Sequence, residues 1–67
     1  MRIDAMRLKE LRVERMVSQD QLHELSGVAR DTISRIESGR TTNVQYKTIK
    51  RLADALEVPY TELMVRD

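Results

Sequence analysis

The chain has 67 residues, enough for one compact domain built on one small core. It contains no cysteine, which excludes disulfide staples and the common zinc-site patterns, so stability has to come from tight helix packing or a partner subunit. Twelve basic and eleven acidic side chains leave a net charge of +1, and Met1-Arg2-Ile3-Asp4 opens no long apolar run. A secretory leader or membrane span is therefore not expected, and the cytoplasm is the expected location.

In chain order, Leu8, Leu11, Arg12, Val13 and Arg15 predict a first helix over roughly Asp4 to Arg15, apolar on one face and charged on the other. Ser18 with Gln21 three residues later has the form of a capping box and announces a second helix. Gly27 ends that helix, because glycine takes the left-handed conformation readily. A third helix is expected from about Ala29 to Ser38, stopped by Gly39. After the polar stretch Arg40-Thr41-Thr42-Asn43, the residues Ile49, Leu52, Ala53 and Leu56 recur at i, i+3, i+4 and i+7, the pattern of one buried helix face. Pro59 suits the first turn of a fifth, short helix through Leu63 or Met64. With two aromatic residues, no alternating pattern and no hairpin dipeptide, no sheet is expected. The reading is an all-α fold of five short helices forming a single domain over residues 1–67.

The charge is unevenly spread. Residues 30–51 carry six basic side chains (Arg30, Arg35, Arg40, Lys47, Lys50, Arg51) against two acidic ones (Asp31, Glu37), while residues 1–29 are balanced and residues 52–67 are acidic. A basic patch confined to one segment is the electrostatic footprint expected of a nucleic-acid binder, and equally of a charged face that merely keeps a small domain solvated.

Between Gln19 and Ser38 the spacing is that of two helices crossing steeply around a tight turn, a helix-turn-helix. Leu22 and Leu25 on the first helix, Val28 in the turn, and Ile33 and Ile36 on the second are expected to share one core. That arrangement turns Arg30, Asp31, Ser34 and Arg35 outward, where the second helix of such a unit meets base edges in the major groove of double-stranded DNA. The helix starts near Gln19, Ala29 and Gln45 are candidates for phosphate oxygens, which suit a helix N-terminus. Arg30 and Arg35 can each read guanine, touch phosphate or pair with a carboxylate. Asp31 can accept from cytosine, stabilise the helix N-terminus or hold an arginine. Ser34 is small enough to let the helix approach closely, and its hydroxyl can bond a base or a phosphate.

The runs Leu8-Lys9-Glu10-Leu11-Arg12, Ser18-Gln19, Gly27-Val28, Thr32 to Arg40 and Leu52-Ala53-Asp54-Ala55-Leu56, taken together in register, resemble the XRE or Cro/phage-repressor family over residues 6–64. The resemblance implies a compact, lambda-repressor-like DNA-binding domain and a sequence-specific transcriptional regulator, acting as a homodimer on a palindromic or repeated operator. It implies base contacts from Arg30, Asp31, Ser34 and Arg35, and phosphate contacts from Gln19, Ser38, Arg40, Thr41, Thr42 and Asn43, to which Gln45 and Lys47 at the start of the fourth helix are added. It also implies a structural ion pair between Arg12 and Glu37. Tyr60, Leu63, Met64 and Val65, near Val58, are the candidate dimer surface, although Val58 and Leu63 can instead close the core. RNA polymerase and a partner protein are further candidate partners; no cofactor, metal or membrane is expected.

The chain departs from the family pattern in four places. His23 stands where relatives carry alanine at the helix crossing, and with no second histidine or cysteine it is read as a hydrogen-bonded structural residue rather than a metal ligand. Ala29 replaces the serine or threonine that caps the recognition helix, and Met16 and Glu57 replace helix-ending glycines. An alternative function, an antitoxin-type module that neutralises a partner protein and binds its own promoter, fits the same fold. An enzyme does not fit, because no nucleophile–base set or Gly-rich phosphate loop is present.

Overall fold

The computed structural model describes residues 1–66, so Asp67, the last residue of the expected domain, lies outside the described residues. Helix α1 spans Ala5–Glu14 and starts at Asp4, whose carboxylate accepts from the Arg7 amide at 3.0 Å. Helix α2 spans Gln19–Ser26 behind a complete capping box. In it the Ser18 hydroxyl accepts from the Gln21 amide at 3.0 Å, and the Gln21 side chain accepts from the Ser18 amide at 2.8 Å. Gly27, at φ 74°, closes α2 with its amide on the His23 carbonyl. Helix α3 spans Arg30–Glu37 and α4 spans Tyr46–Ala55.

The fifth helix is not α-helical: Tyr60–Leu63 form a single 3₁₀ turn. The Glu62 amide reaches the Pro59 carbonyl at 3.0 Å, an i to i+3 bond, and the chain leaves at Met64 in an extended conformation. A second α-turn is forgone because Met64 is drawn into an antiparallel bridge with Ile3. A second bridge pairs Arg2 with Asn43, and neither bridge extends into a strand among the described residues. Among the described residues the architecture is thus four α-helices and one 3₁₀ turn, laced at one edge by the amino-terminal segment.

The core runs through all of these elements. Leu8, Leu22, Ile33, Ile36, Ile49, Leu52, Leu56 and Leu63 are completely buried, with Ala53, Leu11, Ile3 and Val28 beside them. Helix α2 packs on α3 and α4, while α1 packs on α3 and on the 3₁₀ turn. Two expectations are corrected. Leu25 does not join the helix-turn-helix core but is 62% exposed. On this short helix Leu22 is the one buried residue, with Gln19 and Ser26 half-buried on the same side, and Leu25 lies beyond the edge of that stripe. Ser26 secures the stripe by donating to the Leu22 carbonyl at 2.6 Å and accepting from the Val28 amide at 3.1 Å. Leu63 is fully buried and cannot form part of a dimer surface, because the 3₁₀ turn aims it between α1 and α4.

Met16 and Glu57 adopt the left-handed conformation at φ 56° and 58°, so both helix-ending turns are kept without glycine. Holding a side-chain-bearing residue there costs about 1–2 kcal/mol, against about 0.4–1 kcal/mol for the extra freedom that glycine brings to the unfolded chain. Met16 is 89% exposed and forfeits almost no packing on removal. Met16→Gly is accordingly expected to stabilise the fold by about 1 kcal/mol, near the middle of the difference between those ranges. A urea unfolding midpoint equal to or below that of the parent chain would contradict this account.

Candidate nucleic-acid interface

Helix α3 is held by Ile33 and Ile36, both fully buried, and this alone dictates what it presents outward. Arg30, Asp31, Ser34 and Arg35 are all exposed. Their pairing differs. Arg30 Nε lies 2.5 Å from Asp20 Oδ1 in the first turn of α2, a contact between two exposed side chains. Asp31 and Arg35 have no ion-pair partner among the described residues. Ala29 occupies the cap position without a side-chain hydrogen bond, so the amides at the start of α3 are left without a side-chain cap.

Behind α3 lies an ion pair largely shielded from solvent. Arg12 Nε and Nη2 donate to the two oxygens of Glu37 at 2.7 and 2.9 Å, and Nη1 donates to the Val17 carbonyl at 2.9 Å. The side chains are 13% and 5% exposed. The hydrogen bonds that Arg12 donates to Glu37, reinforced by the carboxylate charge, outweigh burial and raise the Arg12 guanidinium above its ordinary pKa. Gln19 Nε2 also donates to Glu37 Oε1, at 3.3 Å, leaving its second amide hydrogen and its carbonyl oxygen for other partners. One network therefore ties α1, the start of α2 and the end of α3.

The segment after α3 folds back onto it. The Arg35 carbonyl accepts from the amides of Arg40 at 2.9 Å and Thr41 at 3.1 Å, and from the Ser38 hydroxyl at 3.1 Å. Thr41 is half-buried, whereas Ser38, Arg40, Thr42, Asn43, Gln45 and Lys47 are exposed. Gln45 caps α4 by backbone position only. Of the six basic residues in 30–51, Arg30 and Lys50 are paired with carboxylates, Lys50 with Asp54 at 2.7 Å. Arg35, Arg40, Lys47 and Arg51 have no ion-pair partner among the described residues.

His23 swings outward, and its Nδ1 stands 2.7 Å from the Val28 carbonyl. A carbonyl only accepts, so Nδ1 carries the proton and the ring braces the turn from outside the crossing. Asp20, the partner of Arg30, was not singled out by the sequence; a carboxylate in the first turn of α2 is its only local signal.

The chain is similar to known proteins in sequence and in fold. The Helix-turn-helix family model (HTH_3) matches residues 8–63. The chain belongs to this family. It is 46% identical over 59 residues to the HTH-type transcriptional repressor RghR of Bacillus subtilis (strain 168), which covers 88% of the chain and 44% of RghR. The chain thus spans less than half the length of that relative. Among solved structures, the restriction-modification controller protein C.AhdI from Aeromonas hydrophila superposes with a TM-score of 0.83 at 38% identity, covering 90% of this chain and 89% of that one. A Helix-turn-helix (HTH_3) family transcriptional regulator from Vibrio cholerae gives a TM-score of 0.80 at 31% identity, over 87% of this chain and 32% of that one.

Proposed function

We infer that the chain is the DNA-binding domain of a transcriptional regulator, and that it places α3 in the major groove of double-stranded DNA. The carrying observation is the α3 ridge: exposed Asp31, Ser34 and Arg35 without ion-pair partners among the described residues, set on Ile33 and Ile36. In a helix so anchored, side chains on the ridge read base edges, while flanking amides and cations hold phosphates. Gln19, Ser38, Arg40, Thr41, Thr42, Asn43, Gln45 and Lys47 supply the phosphate contacts in this reading. Similarity to a repressor and to a controller protein favours regulation over the antitoxin alternative.

Two copies act together on a palindromic or repeated operator, their recognition helices about 34 Å apart. Half-buried Tyr60 and Met64 and exposed Val65 supply the partner surface once Leu63 is assigned to the core. Tyr60 is braced edge-on by Tyr46, with ring centroids 5.2 Å apart and planes at 81°. No helix among the described residues is long and apolar enough to cross a membrane.

Selection of bound duplexes from a random pool tests the reading. Enrichment of one two-fold symmetric or repeated sequence is the expected result. A pool that stays random after several rounds would refute sequence-specific binding.

A further inference from the structure

We propose that Arg2 is an additional phosphate contact, carried to the edge of the DNA interface by the extended amino-terminal segment; the proposal rests on the DNA-binding reading above. Residues 1–3 are paired on both sides. On one side the Ile3 amide donates to the Thr42 carbonyl and the Val44 amide to the Met1 carbonyl, both at 2.9 Å. On the other, the Asp4 amide donates to the Leu63 carbonyl at 2.8 Å and the Val65 amide to the Arg2 carbonyl at 3.2 Å. The backbone of Arg2 is therefore fixed before any ligand arrives, and only its side chain has to be ordered on binding.

Side-chain direction follows from this pairing. Successive residues of an extended chain point to opposite faces, and Ile3 is 4% exposed in the core, so Arg2 points to solvent. The hydrogen bonds flank the Arg2–Asn43 pair rather than join it, which makes it the closely spaced kind of antiparallel pair, with both side chains on one face. Arg2 thus stands beside Asn43 in the loop that hangs from the Arg35 carbonyl of α3. It has no ion-pair partner among the described residues, and the loop it joins contributes Arg40 but no carboxylate between residues 38 and 49. The fold moves a cation from the charge-balanced first part of the sequence onto the basic middle segment.

The test measures binding of the full chain to a random-sequence duplex across a series of salt concentrations. If Arg2 neutralises one phosphate, Arg2→Gln lowers the slope of log affinity against log salt by about 0.9. The affinity loss is then equal on random duplex and on a selected site, and Arg2→Lys restores the slope. The melting temperature of Arg2→Gln stays at that of the parent, because backbone bonds hold the extended segment. An unchanged slope for Arg2→Gln, beside a reduced one for Arg40→Gln, overturns the proposal and leaves DNA binding intact. A lowered melting temperature with the parental slope also overturns it, assigning Arg2 to structure. Absence of salt-dependent binding by the parent chain overturns the DNA-binding reading itself, and this proposal with it.

Discussion

Glu37→Ala is expected to lower the free energy of unfolding by about 3–5 kcal/mol, the cost of stranding one member of a buried ion pair. The Arg12 guanidinium, with its side chain 13% exposed, would keep the Val17 carbonyl but lose both carboxylate oxygens. A chain of 67 residues has a total stability of roughly 3–10 kcal/mol, so this one substitution consumes much of it. The network is expensive to break without being a large net source of stability. Replacing both partners, Arg12→Met with Glu37→Leu, is therefore expected to recover most of the loss. Glu37→Gln, which keeps one acceptor oxygen, should fall between the parent and Glu37→Ala. Urea denaturation of the set checks the account. A loss below about 1 kcal/mol for Glu37→Ala would place the pair with exposed ion pairs, which contribute little.

The parts of this fold that were legible in the sequence are those encoded locally. The Ser18–Gln21 capping box, the stops at Gly27 and Gly39, and the Ile49–Leu56 stripe each occupy a few consecutive residues and appear as read. Leu25 is expected in the core but lies outside it, because a helix of two turns with one buried residue, Leu22, offers too few positions to fix the inward face. The 3₁₀ turn, the burial of Leu63 and the position of Arg2 all depend on bridges between residues about 40 and 60 positions apart, which leave no periodic trace. At the candidate interface, the outward face of α3 follows from two buried isoleucines. The Asp20–Arg30 contact does not, since it depends on how α2 and α3 cross. Ala29, Met16 and Glu57 read as family departures in the sequence; the structure keeps the same turns around them without the usual side-chain cap or glycine.

Arg30 and Arg35 are consequently not equivalent, and the difference bears on the second large effect. Arg30 enters the complex with one nitrogen already facing Asp20, which restrains the side chain toward α2 and screens its charge. Arg35 is exposed and without an ion-pair partner among the described residues, and it sits one turn further along the ridge with both edges of its guanidinium available. A guanidinium that donates two hydrogen bonds to guanine O6 and N7 is worth about 1–3 kcal/mol of discrimination against another base. Arg35→Ala is therefore expected to weaken binding to the selected site by about five- to 150-fold, as those energies imply. It should also relax preference at one position in each half-site, with neighbouring positions unchanged. The side chain lies outside the core, so thermal unfolding should not move. Repeating the selection with the Arg35→Ala chain decides the point. A loss spread evenly over all sequences, with the salt slope reduced by about one, would assign Arg35 to phosphate and leave the reading to Asp31, Ser34 and Arg30.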